Sequence, residues 1–445
     1  MAFGGGTWTA QDKVLPGTYI NFVSAAHDSG KLLNRGVATM PLPLNWGPEG
    51  EVFMVAKEDF KEETRRIFGY SYEADEMKGL RDLFMNAETL YAYRLNGGGA
   101  KAGNEYAEAL YSGIRGNDIK IGISLNVDYE GCFDVTTYMD TTAVDIQTVQ
   151  TTDELKANDF VIFKETAALK KTTPLPLTGG TNGSDSGGSY QDYLDKIESY
   201  SFNTMGVAVT DEVTKRLFAA FTRRAREEMG KKFQLVLHDY PAADYMGVIS
   251  VKNKCTDGAK RGSSGMEYPD EAAAVYWVTG AECGCAVNRS CQNKRYDGEY
   301  SIDTGYTQTQ LKTALKAGEF VFHSVNGEVR VLDDINTMVT TTKEWGSVFM
   351  SNQTIRVIDQ LANEDASLFA DKYLGVIPNN NAGRSALWYD LVKIRKNLQD
   401  LGAIEDFNET DVVVSPGDSK KAVVIENVVT VVNAMSKLYM TTMIK

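Results

Sequence analysis

The chain has 445 residues, a formal net charge of −14, 43% hydrophobic residues and 24% charged residues. That length exceeds what one core holds and predicts two to four domains of ordinary globular composition. No apolar stretch reaches the length of a membrane span, and residues 1–6 lack the basic start and apolar core of a secretory signal. The acidic balance argues against coating nucleic acid, which needs clustered Lys and Arg. The expected setting is therefore a cytosol, with no membrane and no direct nucleic-acid partner.

In chain order, Pro16-Gly17 leads into Thr18-Tyr19-Ile20-Asn21-Phe22-Val23, a short β-rich run after a glycine-rich start. Residues 37–40 read as a strand entering a turn at 45–48. Residues 59–67 and 75–85 read as amphipathic helices, and 89–95 as a strand. Gly97-Gly98-Gly99 breaks the pattern, and a short helix is expected over about 104–111. Residues 118–173 then carry β-rich runs at close spacing (119–125, 133–138, 144–149, 160–163). That rhythm suggests a small β-sandwich or barrel inserted as its own module. The Gly/Ser/Asn stretch 179–189 reads as a flexible linker leaving it.

Helix and strand alternate again over 190–340. A helix is expected at 193–199 and a strand at 205–209. A long helix follows, capped by Thr210, with Val213, Leu217, Phe221 and Ala225 on its apolar face. It ends at Gly230, before a strand at 233–237. Such alternation favours a mostly parallel sheet covered by helices. Residues 271–278 read as another helix, and Asn326-Gly327 as the turn of a hairpin between 320–323 and 329–332. Helices are expected over 355–361, 367–374 and 385–401, and β-rich runs at 412–414, 422–425 and 428–432.

The last nine residues run Lys437-Leu438-Tyr439-Met440-Thr441-Thr442-Met443-Ile444-Lys445. They read as a hydrophobic strand with no sequence after it to fold back, and such a strand must pair or leave a sticky edge. Strand-forming runs at both termini suggest a subunit that completes its neighbours' sheets. The alternative is that each arm pairs within its own domain.

Few residues carry a signal for chemistry. Gly97-x-Gly99-x-x-Ala102 loosely matches a dinucleotide fingerprint, but a β-rich module follows where a helix is needed, so no cofactor is expected. Cys283, Cys285 and Cys291 cluster, yet Cys255 is far upstream and no histidine is near in sequence, short of the four ligands of structural zinc. The expectation is no metal, with small apolar residues lining a helix end in a reducing compartment. His238-Asp239 at a strand end is a plausible catalytic address, but no Gly-x-Ser-x-Gly elbow accompanies it. The basic residues Arg223, Arg224, Arg226, Lys231 and Lys232 read as a solvated helix face, with an intersubunit charge contact as the functional alternative.

Several runs, taken in order and spacing, resemble the tail sheath proteins of contractile bacteriophages, in the form carried by prophages and phage-tail-like bacteriocins of Gram-positive bacteria. They include Lys13-Val14-Leu15-Pro16-Gly17-Thr18-Tyr19-Ile20, Pro43-Leu44-Asn45-Trp46-Gly47-Pro48 and Gly113-Ile114-Arg115-Gly116-Asn117-Asp118. The most specific come later: Asn352-Gln353-Thr354-Ile355-Arg356-Val357-Ile358-Asp359, Pro378-Asn379-Asn380-Asn381-Ala382-Gly383-Arg384 and Ala434-Met435-Ser436-Lys437-Leu438-Tyr439-Met440-Thr441. The resemblance implies a non-enzymatic subunit of stacked six-subunit rings that polymerise helically around a tail tube, bounded by baseplate and tail terminator. The sheath contracts to drive the tube through a cell envelope. The subunit is assembled in the host cytoplasm and ends in a virion tail or bacteriocin particle.

The implied fold is an α/β multidomain chain: an α+β core with N- and C-terminal arms, an inserted β-sandwich and a subtilisin-like α/β domain without protease activity. The expected division is an N-terminal arm and strand (1–30), the first part of the α/β domain (31–96), the β-sandwich (97–178), the subtilisin-like domain (179–345), the C-terminal core (346–434) and the C-terminal arm strand (435–445). Tyr19, Ile20, Phe22, Leu438, Tyr439, Met440, Thr441 and Ile444 are the expected intersubunit arm residues. The cysteines at 283, 285 and 291 depart from the small residues usual in that family. The competing readings are a non-contractile shell subunit and a hydrolase using His238.

Overall fold

The computed structural model describes residues 35–165, 167–185, 187–256 and 270–444. Tyr19, Ile20 and Phe22 lie outside the described residues. Strands β1 (Val37–Leu42), β2 (Val52–Ala56) and β3 (Thr89–Arg94) open the chain, with helices α1 (Lys57–Phe68) and α2 (Lys78–Phe84) between the last two. After an inserted module come α3 (Gly187–Ile197), β11 (Thr204–Val207), α4 (Glu212–Glu227), β12 (Gln234–His238), β13 (Val248–Val251), α5 (Ala274–Gly284), α6 (Gln308–Lys316) and β14 (Glu319–Phe320). The strands join into one seven-stranded sheet of order β14-β13-β12-β11-β1-β3-β2. Every pairing is parallel except β2 against β3.

Strand alternation divides the core into two faces. Met40, Leu90, Val236 and Ile249 point to one side, against Leu80 and Leu83 of α2 and Trp277 and Val278 of α5. Tyr93, Met205, Leu235 and Leu237 point to the other, against Tyr193 of α3 and Phe218 and Phe221 of α4. Both faces are covered, which is why these strands read as near-continuous apolar runs.

The inserted module holds β4 (Lys101–Gly103), β5 (Ala107–Ser112), β6 (Ile119–Leu125), β7 (Phe133–Met139), β8 (Thr142–Val149), β9 (Val161–Phe163) and β10 (Thr172–Pro176). They form two antiparallel sheets, β10-β6-β7-β8 and β4-β5-β9, over one shared core that includes Ile121, Val135, Phe160 and Trp46. The helix expected at 104–111 is instead a turn and a strand. The Asn104 side chain accepts hydrogen bonds from the Tyr106 and Ala107 N–H groups at 2.9 and 3.0 Å. Ala107 and Ala109 then point inward and Glu108 outward.

The expected flexible linker is likewise docked. Thr181 N–H donates to Ala100 and Gly183 N–H to Asn96, each at 3.0 Å. The Asn182 amide donates to the Asn45 side chain at 2.8 Å. Two of the glycines there serve close backbone approach, not looseness: a Cβ on Gly180 would crowd the carbonyl oxygen of Gly113, and one on Gly183 would overlap that of Gly97.

Two smaller corrections concern α4. Its N-cap is Asp211, whose carboxylate accepts from Val213 N–H at 3.3 Å and Thr214 N–H at 2.7 Å, and not Thr210. Its buried face runs through Phe218, Phe221, Thr222 and Ala225, while Val213 is exposed.

The rest of the chain holds the hairpin β15 (Phe322–Val325) and β16 (Glu328–Val331), helix α7 (Asn352–Leu368), helix α8 (Asn381–Asp400), β17 (Ile404–Glu405), β18 (Val412–Pro416), β19 (Val423–Asn427) and β20 (Thr430–Val431). The first two expected helices here are one: α7 runs unbroken to Leu368 and continues through a π turn over Phe369–Tyr373. Among the described residues, no helix is long and apolar enough to cross a membrane.

Gly183→Ala is expected to cost about 2 kcal/mol, because two backbone segments must separate. Gly187→Ala, where an added methyl meets open space, is expected to leave the midpoint of thermal unfolding within about 1 °C of wild type.

Candidate assembly site

Helix α7 is buried along most of its length. Ile355, Ile358 and Leu361 join the core on the α4 side of the large sheet, and Val357 joins a separate core with Leu387, Leu391 and Leu398 of α8. One helix thus belongs to two cores. Its polar residues are spent on the same joint. The fully buried Arg356 donates through Nη2 to Glu282 of α5 at 2.6 Å and to Asp334 at 3.3 Å, and through Nη1 to the Arg289 carbonyl at 2.8 Å. Asp359 receives both Nη groups of Arg226 from α4 at 2.6 Å. Asn352 accepts from the Gln234 amide of β12 at 2.9 Å. Asp365 receives both Nη groups of the buried Arg395 of α8, at 3.2 and 3.1 Å, and Arg395 also donates to Asn427 of β19 at 2.6 Å.

Burial, reinforced by the neighbouring Asp334, pushes the Glu282 carboxyl up to about 8, against the pull of Arg356. Burial acts on Asp334 too, but Arg356 and its hydrogen bonds outweigh it and hold that carboxyl below its usual range. At neutral pH Glu282 keeps its proton, Asp334 is ionised, and one carboxylate faces one guanidinium. Glu282, Cys291 and Asp334 offer donor atoms within 4.8 Å of one another, but the guanidinium of Arg356 already bonds both carboxyl groups. Cys283 donates to the Gly280 carbonyl of its own helix at 3.3 Å.

The C-terminal segment leaves this joint and becomes exposed. Ala434 N–H donates to the Gln353 side chain at 2.9 Å, and Asn433 accepts from the Ser351 hydroxyl at 3.0 Å. Beyond them Leu438, Tyr439, Met440 and Ile444 are 78–95% exposed. These residues and Thr441 form no strand and touch no sheet of the described chain. Strands β18 and β19 pair only with each other, so each keeps one unpaired edge among the described residues. The Trp388 indole N–H of α8 donates to the Val412 carbonyl at 3.0 Å and seats the hairpin.

The structure separates the three arginines proposed as a charge contact. Arg226 is buried against Asp359, and is therefore unavailable to another chain. Arg223 stacks over the Tyr245 ring at 4.2 Å, and Arg224 pairs with Glu198 at 3.1 Å. His238 is buried with its Nδ1 lacking a hydrogen-bond partner, and burial pushes its pKa down. The nearby Ser250 hydroxyl is occupied in accepting from Tyr240 N–H at 2.7 Å.

Sequence reasoning noticed the run from Asn352 to Asp359 but assigned it no role. The signal was present: Arg and Asp one turn apart inside an apolar helix demand buried counter-charges.

Models of the phage tail sheath match almost the whole described chain: the domain III N-terminal region at residues 35–95, the β-sandwich domain at 97–182, the central domain at 183–337 and the C-terminal domain at 329–445. The chain is 32% identical to the phage-like element PBSX protein XkdK of Bacillus subtilis, over 98% of each. The chain belongs to the phage tail sheath protein family. As a member it is a structural subunit of a tail sheath. Its fold is similar to the crystal structure of the sheath tail protein from Desulfitobacterium hafniense, with TM-score 0.79 and 37% identity over 95% of this chain and 99% of that one. The sheath tail protein of Listeria innocua gives TM-score 0.76 and 30% identity over 93% and 96%. The sheath fold also extends, at 12% identity and TM-score 0.56 over 97% and 99%, to the contracted helical sheath of the anti-feeding prophage.

Arg356→Met is expected to destabilise this sheath subunit by about 3–5 kcal/mol, since it strands buried carboxyls without a counter-charge. Glu282→Gln keeps an acceptor for Arg356 and a donor for Asp334. Because Glu282 holds its proton more tightly folded than unfolded, it erodes stability as pH rises from about 4.5 to about 8. The Gln variant is therefore expected to match or exceed wild type at pH 8 and to flatten that fall, as measured by thermal unfolding across pH.

Proposed function

We propose that this sheath protein works by lending its C-terminal segment, as a β-strand, to the open hairpin of another copy. The carrying observations are the exposed run Leu438, Tyr439, Met440 and Ile444 and, in the same chain, a two-stranded sheet whose outer edges are unpaired among the described residues. Strand addition gives main-chain hydrogen bonds that depend little on side chains. Pocketing each large apolar residue contributes roughly 1.5–3 kcal/mol before ordering costs. Head-to-tail exchange of this kind need not close, so it builds helical polymers. The N-terminal run at Tyr19, Ile20 and Phe22 is the second arm of the same scheme.

In this reading the subunit is non-enzymatic, its central sheet domain is a subtilisin-like fold without protease function, and the polymer is a set of stacked six-subunit rings around a tail tube. It runs from baseplate to tail terminator in a virion tail or bacteriocin particle assembled in the host cytoplasm. The sheath contracts by rigid-body movement of subunits that stay joined through their arms. The fold likeness to sheaths recorded in the contracted state supports contraction over a fixed shell.

Deleting residues 438–445 is expected to leave a folded, soluble subunit with an unchanged melting midpoint that forms no sheath-like tubes by negative-stain electron microscopy. Normal tubes from the truncated chain would refute strand lending. An unfolded truncated chain would assign the segment to its own core.

A further inference from the structure

Two of the three clustered cysteines lie at the same end of α5. Cys285 caps the C-terminal end of α5 and is partly buried against the core that holds Cys291, whose buried thiol lies on the same last turn of α5 and donates to the Ala281 carbonyl at 3.6 Å. Cations flank the pair. Arg35 Nε donates to the Cys285 carbonyl at 2.9 Å, and its Nη2 donates to the Glu282 carbonyl at 3.0 Å. Arg356 reaches from α7, and the Cys291 N–H donates to Asp334, one of its counter-ions, at 2.9 Å. Cys283 points into its own helix, and Cys255 bridges to Ile302 elsewhere.

We propose that Cys285 and Cys291 form a thiol pair that a hydroperoxide converts into an intrachain disulfide. Cys285 is the attacking sulfur because it is the accessible one. The hydrogen bond from Cys291, with Arg356 and Arg35 close by, pulls its thiol down to about 6 although burial opposes this, and the same contact raises Cys291. The Cys285 thiolate attacks the peroxide oxygen and cleaves the O–O bond, giving a sulfenic acid and releasing an alkoxide or hydroxide that takes a proton. The Cys291 sulfur then displaces the sulfenic oxygen, its own proton leaving with that oxygen as water. Two thiols lose two electrons and two protons, and one peroxide becomes an alcohol, or water, plus water. The bond closes the short loop that holds Arg289, whose carbonyl accepts from Arg356, and fastens the corner on which α7 rests. A particle passing from a reducing cytosol to an oxidising medium would meet these conditions.

The test uses the reduced full chain, one equivalent of hydrogen peroxide, quenching with iodoacetamide and peptide mass spectrometry. Trypsin cuts after Arg289, between the two cysteines. The expected product joins peptide 262–289, which carries both Cys283 and Cys285, to peptide 290–294, which carries Cys291, two hydrogens lighter than the sum; fragmentation is expected to place the link on Cys285, with Cys255 and Cys283 still alkylatable after unfolding. Without peroxide, the alkylation rate of Cys285 is expected to stay nearly flat from pH 7 to 8.5, and in Cys291→Ala, which removes the donor, to rise about tenfold over that range, as for an ordinary thiol. A sulfinic Cys285 with no join, pairing with another cysteine, or a wild-type rate that climbs tenfold overturns the proposal. If Cys291→Ala fails to fold, the wild-type join and rate profile decide alone.

Discussion

Everything in this subunit turns on one buried helix that belongs to two cores. Helix α7 gives Ile355, Ile358 and Leu361 to the layer over the large sheet and Val357 to the C-terminal core. Its charged residues pair outward in different directions: Arg356 to Glu282 and Asp334, Asp359 to Arg226, Asp365 to Arg395. Apolar side chains alone would hold such a joint more loosely in register, because apolar contacts are non-directional and buried ion pairs accept only one geometry. The stability gained from such pairs is small or negative compared with well-packed apolar replacements, whereas losing one partner is severe. The arrangement therefore reads as specification of one domain orientation.

That stiffness matters for a sheath. A polymer transmits force only as well as its subunits resist deformation, and close-packed interiors resist well. The same chain ends in a segment with the opposite character, held to α7 through Gln353 and Asn433 and then exposed. Under the strand-lending proposal, the rigid joint and the exposed segment that leaves it divide two tasks: the body keeps its shape and the segment carries connectivity. Arg395 braces α8 against α7 and also holds Asn427 of the hairpin.

Much of this was legible in the sequence, for reasons that can be stated residue by residue. The parallel sheet announced itself through short apolar strands alternating with amphipathic helices, and Asn326-Gly327 through the left-handed backbone its turn needs. The apolar tail was legible from its own residues, Leu438, Tyr439, Met440, Met443 and Ile444, all of which are exposed. What failed were readings of local composition where tertiary context decides. Ala107, Glu108 and Ala109 suit a helix by propensity, but the Asn104 turn and strand β9 claim them. The glycines of 179–189 suggested looseness, yet Gly180 and Gly183 mark where backbones touch. Arg226 looked like surface charge because its counter-ion, Asp359, lies 133 residues away in sequence.

Hydrogen–deuterium exchange on the free subunit and on the assembled particle compares these two tasks directly. The account predicts that the amides of residues 436–444 exchange freely in the subunit and become protected in the particle, together with the outer edges of the hairpin at 412–427, while α7 is equally protected in both. Equal exchange of 436–444 in the two states, or loss of protection in α7 on assembly, would contradict it.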